Sequence, residues 1–181
     1  MPPGKKQSLR RAYRAARRAL SPIDQRGHSL AIAAAVMGRL DDEATVAGYL
    51  ARDGEVDLMN VIERCWRRRI VVAVPVLSGR EMRFAAYRCG APLARNRFGI
   101  AEPAQPEFVT PTVVLAPLVA FDGNGRRLGM GGGYYDRFFA ATPNAARIGI
   151  AHECQRAREL PATPSDVSLT AVVTENGWQS F

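Results

Sequence analysis

The sequence predicts an α/β fold: a three-layer sandwich whose mostly parallel, Rossmann-like sheet carries helices on both faces. Two observations lead there. Apolar runs rich in β-branched residues at 45–50, 70–77, 112–122, 146–151 and 171–176 alternate with segments of helical period, the order that builds parallel sheets. Most of these runs are apolar throughout rather than alternating, as expected of strands covered on both sides. With 181 residues and 47% hydrophobic content, the chain fits a single domain, 1–181, with a sizeable core.

The elements follow in order. Residues 1–20 read as a basic helix docked on the sheet domain, because Leu9, Tyr13, Ala16 and Leu20 make a narrow apolar stripe at helical spacing. Cations at 6, 10, 14 and 17 share an adjoining face, from which one or two are expected to reach an anion while the others stay solvated. Ser21-Pro22-Ile23-Asp24 starts the next helix with a hydroxyl cap, proline at the first helical position and an acid in the first turn; it should run to about Leu40. The strand 45–50 leads into a loop bearing Asp53 and Glu55, then a helix from about Asp57 that turns Leu58, Ile62, Cys65 and Trp66 inward. Residues 70–77 form a central strand whose end Pro75 marks, and 82–87 an edge strand or hairpin partner. The stretch 88–111, with four prolines, is a long arm, and 112–122 is a strand that runs into a Gly-Asn-Gly turn.

Charge and cysteine usage narrow the function classes. The first 18 residues hold Lys5, Lys6, Arg10, Arg11, Arg14, Arg17 and Arg18 and no acid, so most of the net charge of +8 belongs to one helix. A nucleic-acid surface is therefore not expected, since no stacking aromatics interleave the cations beyond Tyr13. Without an apolar run of membrane length or a secretory h-region, neither membrane nor export is expected, and a cytoplasmic monomer is. Cys65, Cys89 and Cys154 lie too far apart for a zinc motif, so disulfides and structural zinc are not expected; only His28 and His152 add soft ligands. His152 follows the run 146–151 and is a candidate to touch ligand.

The densest signal is the segment from Arg127 to Arg137, with glycines at 129, 131, 132 and 133. A surface turn needs one or two residues at positive φ, whereas backbone amides freed of Cβ atoms by several glycines can converge on an anion. Tyr134 onward reads as a helix start, whose positive end faces the same anion. No Gly-Lys-Ser/Thr follows, and Tyr134 stands where a third Rossmann glycine would, so the common nucleotide loops do not match. Asp136, behind the glycines, is placed to serve a magnesium ion.

These segments, together with KKQSLRRAYRAARRALSP, GYLARDGEVD, NRFGIAEP and GIAHECQ, closely resemble the 5-formyltetrahydrofolate cyclo-ligase family over nearly the whole chain. The resemblance implies an ATP- and Mg²⁺-dependent conversion of 5-formyltetrahydrofolate to 5,10-methenyltetrahydrofolate, with ATP as co-substrate. It further implies that Lys6, Arg10 and the loop Arg127, Leu128, Gly129, Met130, Gly131, Gly132, Gly133, Tyr134 and Tyr135 contact ATP. Leu50, Glu55 and Phe98, with Met130 to Tyr134, would border the folate, Phe98 standing where the family commonly has Trp. Arg127 and Asp136 take catalytic roles, and Asp136 and Asp166 are the metal-associated carboxylates. Thr170 stands where many members carry a further acid. Another ATP-dependent kinase or ligase on the same scaffold is the alternative, since fold does not dictate substrate.

Overall fold

The computed structural model describes residues 4–96 and 99–181. Helix α1 (Gly4–Arg18) precedes α2 (Pro22–Met37), strand β1 (Thr45–Ala47), α3 (Met59–Arg67) and the hairpin β2 (Val71–Ser78) and β3 (Glu81–Ala86). The arm holds β4 (Leu93–Arg95), β5 (Ala101–Pro103) and β6 (Phe108–Val109). Then come β7 (Val113–Pro117), β8 (Ala120–Phe121), β9 (Arg127–Leu128), α4 (Tyr134–Ala141), β10 (Ala146–Ile150), a 3-10 turn (Glu153–Gln155), β11 (Ala171–Thr174) and β12 (Gly177–Ser180).

Among the described residues, eight strands form the main sheet in the order β12-β11-β10-β7-β1-β2-β3-β6. The five inner strands β11, β10, β7, β1 and β2 are parallel; β12, β3 and β6 are antiparallel additions at the edges. Residue alternation divides the core between two faces. Val46, Val72, Leu115, Ile148 and Val173 point to a layer formed with Ile32, Val36 and Ile62 of α2 and α3. Their neighbours Ala47, Ala73, Val114 and Ala116 point to the other face, where Phe139 of α4 packs with Phe84. Larger side chains under two helices and smaller ones under one give three layers, as the apolar runs predict.

Helix α2 begins as expected, with the Ser21 hydroxyl accepting from the Asp24 N–H and Pro22 following, but ends at Met37 rather than Leu40. Pro75 does not end its strand. Because β1 reaches only Ala47, opposite Ala73, no parallel neighbour lies beside Pro75 to need its missing N–H, and β2 continues in its hairpin to Ser78. The run 112–122 is two strands, not one. At Leu118 and Val119 the chain leaves the sheet, and buried side chains take over its carbonyls: Arg17 Nη1 donates to Leu118 O at 3.1 Å, and Gln155 Nε2 to Leu118 O and Val119 O at 2.7 and 3.1 Å.

Helix α1 docks with part of the expected stripe. Leu9 and Tyr13 pack against Ala120, Leu128, Ala157 and Leu160, whereas Ala16 is exposed and Arg17 is buried in its stead. Lys6, Arg10, Arg14 and Arg17 all turn inward, so the expectation that most of them stay solvated fails. The cause is Asp53. Its backbone sits at a left-handed φ of 57°, and its carboxylate receives Arg14 at 2.8 Å, Arg17 at 2.7 Å and Arg18.

Candidate functional site

In open parallel sheets a crevice forms where the strand order reverses, at the carboxyl ends of the strands. Here that point lies between β1 and β7, and a cavity of about 850 Å³ opens there. Leu50 and Glu55 reach it from the segment after β1, Pro117 and Leu118 from the end of β7, Lys6 and Arg10 from α1, and the whole stretch from Arg127 to Arg137 from the glycine-rich segment. Asp166 and Val167 close one side. The candidate ATP, folate and metal residues within the described chain all line this one cavity. Phe98 lies outside the described residues.

The glycine segment connects β9 to α4 and uses its glycines unequally. Gly131 and Gly133 take left-handed φ values of 99° and 66°, which side chains rarely adopt, and Gly133 is the residue that caps α4. The segment is tied down at both ends. Arg10 Nε donates to Gly129 O at 2.8 Å, while Arg137 Nη2 donates to Gly132 O at 2.9 Å and its Nε to Arg80 O at 3.0 Å. Tyr134 Oη donates to Gly79 O at 3.0 Å, so the β2–β3 turn steadies the helix start. Arg137 thus serves the loop's backbone, a use its position in the sequence does not reveal.

Both candidate metal carboxylates sit at this end, each beside a cation. Asp136, in the first turn of α4, accepts from Arg127 Nη2 at 2.7 Å and from the Val167 N–H at 3.1 Å, both on Oδ1. Arg127 also donates to the Val167 carbonyl, and its side chain is only 5% exposed. Asp166 Oδ2 accepts from Lys6 Nζ at 3.0 Å and from the Thr163 N–H at 2.8 Å. Partial burial works against the Asp166 carboxylate, yet Lys6 and Thr163 together hold its pKa below the usual range. The donor set of two hard carboxylate oxygens beside a glycine-rich loop suits Mg²⁺, which takes one or two carboxylates and completes its shell with phosphate and water.

Other parts of the cavity lining differ in character. Pro75, Leu77, Met82 and Ile100 give the cavity an apolar wall, contributed by the β2–β3 hairpin and the arm. Glu55 faces this space, with the Arg52 N–H on its Oε2 at 3.2 Å and Arg17 Nη2 3.6 Å from Oε1. Burial raises the Glu55 pKa above the ordinary value, an effect that Arg17 only partly opposes. Tyr49 and Tyr135 also line the site; burial raises both phenol pKa values well above normal, so both stay neutral hydrogen-bonding groups.

Other sequence candidates lie elsewhere. His152 does not line the cavity; it is buried behind the loop after β1, 3.3 Å from the Gly54 carbonyl. Thr170 Oγ1 is spent on the backbone of β10, donating to Arg147 O at 3.1 Å and accepting from the Arg147 N–H at 3.0 Å. Arg17 and Asp53 escape a reading by residue type, since a cation among seven in one helix carries no mark of burial. The apolar wall is legible only in the length of the run 70–77, which outlasts its parallel neighbour.

Comparison with known proteins agrees with this arrangement. The model of the 5-formyltetrahydrofolate cyclo-ligase family matches residues 3–175. A 5-formyltetrahydrofolate cyclo-ligase of Escherichia coli is 39% identical over 170 residues, which cover 87% of this chain and 93% of that protein. One from Haemophilus influenzae is 32% identical over 177 residues, 91% of this chain and 95% of the relative. The solved structure of Aquifex aeolicus 5,10-methenyltetrahydrofolate synthetase superposes with a TM-score of 0.82 at 29% identity, covering 97% of this chain and 92% of that one. With the family pattern spanning nearly its full length and its signature residues gathered in one crevice, this chain belongs to the 5-formyltetrahydrofolate cyclo-ligase family.

Proposed function

We propose that this chain uses ATP to convert 5-formyltetrahydrofolate into 5,10-methenyltetrahydrofolate, releasing ADP and phosphate, with the two halves of the crevice dividing the work. One observation carries the assignment of roles. A single cavity is lined both by a glycine-rich loop with Lys6, Arg10 and Arg127 and by an apolar wall with one half-buried carboxylate, Glu55.

The formyl oxygen attacks the γ-phosphorus, ADP leaves, the neighbouring amine nitrogen closes on the formyl carbon, and phosphate departs as the amine proton passes to phosphate or solvent. Such transfer rests on alignment and charge neutralisation rather than on a protein nucleophile. Amides from Gly129 to Gly133 and the α4 N-terminus meet the phosphates. Lys6, Arg10 and Arg127 offset their charge; Lys6 and Arg127 exchange their present carboxylate partners for phosphate oxygens. Asp136 and Asp166 would hold Mg²⁺, which when bound neutralises charge on the phosphates. Glu55 accepts from the donor-rich edge of the pterin, and Leu50 with the apolar wall packs its ring. No described helix is long and apolar enough to cross a membrane, and a monomer acting in the cytoplasm completes the proposal.

The test is direct. Purified protein with 5-formyltetrahydrofolate and Mg-ATP should develop the near-ultraviolet methenyl absorbance in step with ADP; absence of ATP-dependent product rejects the reading.

A further inference from the structure

Two histidines 124 positions apart in sequence meet behind the crevice, and a carboxylate meets them there. His28 comes from α2, His152 from the residue that opens the 3-10 turn after β10, and Glu175 from the turn between β11 and β12. The two Nδ1 atoms are 3.0 Å apart, and Glu175 Oε1 is 3.5 Å from His28 Nδ1. One ligand atom from each residue falls within a 4.8 Å cluster. His152 is fully buried, while His28 and Glu175 keep 22% and 19% of their side chains exposed, so the cluster is walled on one side and reachable from the other.

The donors at this point are in surplus. His152 Nε2 faces the Gly54 carbonyl, which has no proton to give, so Nε2 carries the ring hydrogen. In the neutral ring Nδ1 then presents a bare lone pair toward His28. Glu175 adds a carboxylate oxygen, fixed by the Glu153 N–H at 3.0 Å on its other oxygen. One proton on His28 Nδ1 is all that lies between these acceptors. A ligating histidine held by a carbonyl on its far nitrogen and a carboxylate held from behind are the usual outer support of a transition-metal site.

We infer that His28, His152 and Glu175 form a binding site for a divalent transition metal of the zinc type, separate from the Mg²⁺ carboxylates of the crevice. Two nitrogens at zinc–nitrogen distances of about 2.0–2.1 Å on a tetrahedral ion stand roughly 3.3 Å apart, so the 3.0 Å pair needs only a slight spread. The ion replaces the shared proton, which passes to solvent or to His28 Nε2, and water takes the remaining coordination position. Imidazole with one carboxylate favours zinc or its neighbours over magnesium. The sequence hides this site, because its histidines have no motif spacing and the cysteines that draw attention are not part of it. Its outer support is the Gly54 carbonyl, one residue before Glu55.

Cobalt(II) tests the site by its colour. Chelator-treated protein without nucleotide, titrated with Co²⁺, should take up one ion per chain and develop the visible bands of a four- or five-coordinate centre, without a near-ultraviolet thiolate band. Zn²⁺ should displace it one for one. His28→Gln, at a partly exposed helical position, should weaken uptake at least tenfold, on the order of what loss of even an outer-shell partner costs. Glu175→Gln should act in the same direction and carries the test if the first variant does not fold. Cys154→Ser and Asp136→Asn should leave the spectrum unchanged. Absence of a coloured stoichiometric complex, a spectrum indifferent to His28→Gln and Glu175→Gln, or its loss in Cys154→Ser or Asp136→Asn overturns the assignment.

Discussion

The Arg17 guanidinium, only 1% exposed, lies 2.7 Å from the Asp53 carboxylate, so helix α1 is fastened to the sheet domain by a buried charge pair as well as by apolar contact. Arg17 also donates from Nε to the Asp53 carbonyl at 2.9 Å and from Nη1 to the Leu118 carbonyl at 3.1 Å. The same helix delivers Lys6 and Arg10 to the crevice, so this clamp links the fold to the site.

Asp53→Asn should therefore destabilise the protein by about 3 kcal/mol, because removing the near partner leaves the buried Arg17 with only Glu55, 3.6 Å away, as counter-charge. Burial opposes the Asp53 carboxylate, but Arg14, Arg18 and Arg17 together hold its pKa well below the ordinary value. A depressed carboxylate pKa gives stability that is fully present above the unfolded value, near 3.9, and is lost as pH falls through the folded one. Denaturant unfolding of both proteins should thus show a constant gap from pH 7 to about 5 that closes below about pH 4. An equal gap at pH 3 would show that the charge is not what holds the helix.

Glu55→Gln should raise KM for the folate roughly tenfold to a hundredfold, the span of about 1.5–3 kcal/mol for hydrogen bonds to a charged group, and leave KM for ATP unchanged. Because burial raises the pKa of Glu55, the wild-type carboxylate protonates at higher pH than an exposed glutamate. Folate KM should then climb as pH falls toward that raised value, and the variant should lack this rise. Parallel pH profiles would remove Glu55 from the folate contacts.

Which parts were legible in the sequence follows from what each signal measures. The strand runs report burial on both faces, so five parallel strands were readable, including β10 with its apolar residues 148–150. Strand ends depend on what pairs alongside, which is why Pro75 and Leu118 mislead: one lacks a neighbour to offend, and the other meets Arg17 and Gln155 across the fold. The glycine loop and Asp136 were legible because their chemistry is local. Arg17 with Asp53, and His28 with His152, were not, since each is defined by a partner distant in sequence.

Gly129→Ala separates a ligand cradle from a turn. A Cβ there would meet no heavy atom within 4 Å, and Gly129 is not among the residues at positive φ, so the thermal midpoint should hold. ATP affinity should still drop if the backbone approaches phosphate. Gly131→Ala, by contrast, faces a φ of 99° and Arg10 Nη2 at 3.3 Å, and should lose both stability, by about 1–3 kcal/mol, and nucleotide binding. Full ATP affinity in Gly129→Ala would leave the loop as a connector only.

Lys6→Met should behave oppositely to Asp53→Asn. The Lys6–Asp166 pair is partly exposed, at 26% and 29%, and pairs of this kind contribute at most about 1 kcal/mol to stability. KM for ATP should nonetheless rise roughly tenfold, with folate KM unmoved, since a charge-assisted contact to phosphate is lost. A variant with normal ATP kinetics would show that Lys6 only anchors the Asp166 loop.

Asp136→Asn tests the chemical step itself. Asparagine can keep an oxygen for Arg127 Nη2 and the Val167 N–H, the two contacts now on Oδ1, so the fold should survive with a modest loss from the weakened Arg127 pair. The negative charge is what disappears. Turnover should fall by on the order of a hundredfold or more, as when one group aimed at developing charge is removed, and the Mg²⁺ concentration needed for half-maximal rate should rise. Folate affinity, measured without nucleotide, should not change. A rate close to wild type with normal Mg²⁺ dependence would reduce Asp136 to an anchor for Arg127 and the 163–167 loop.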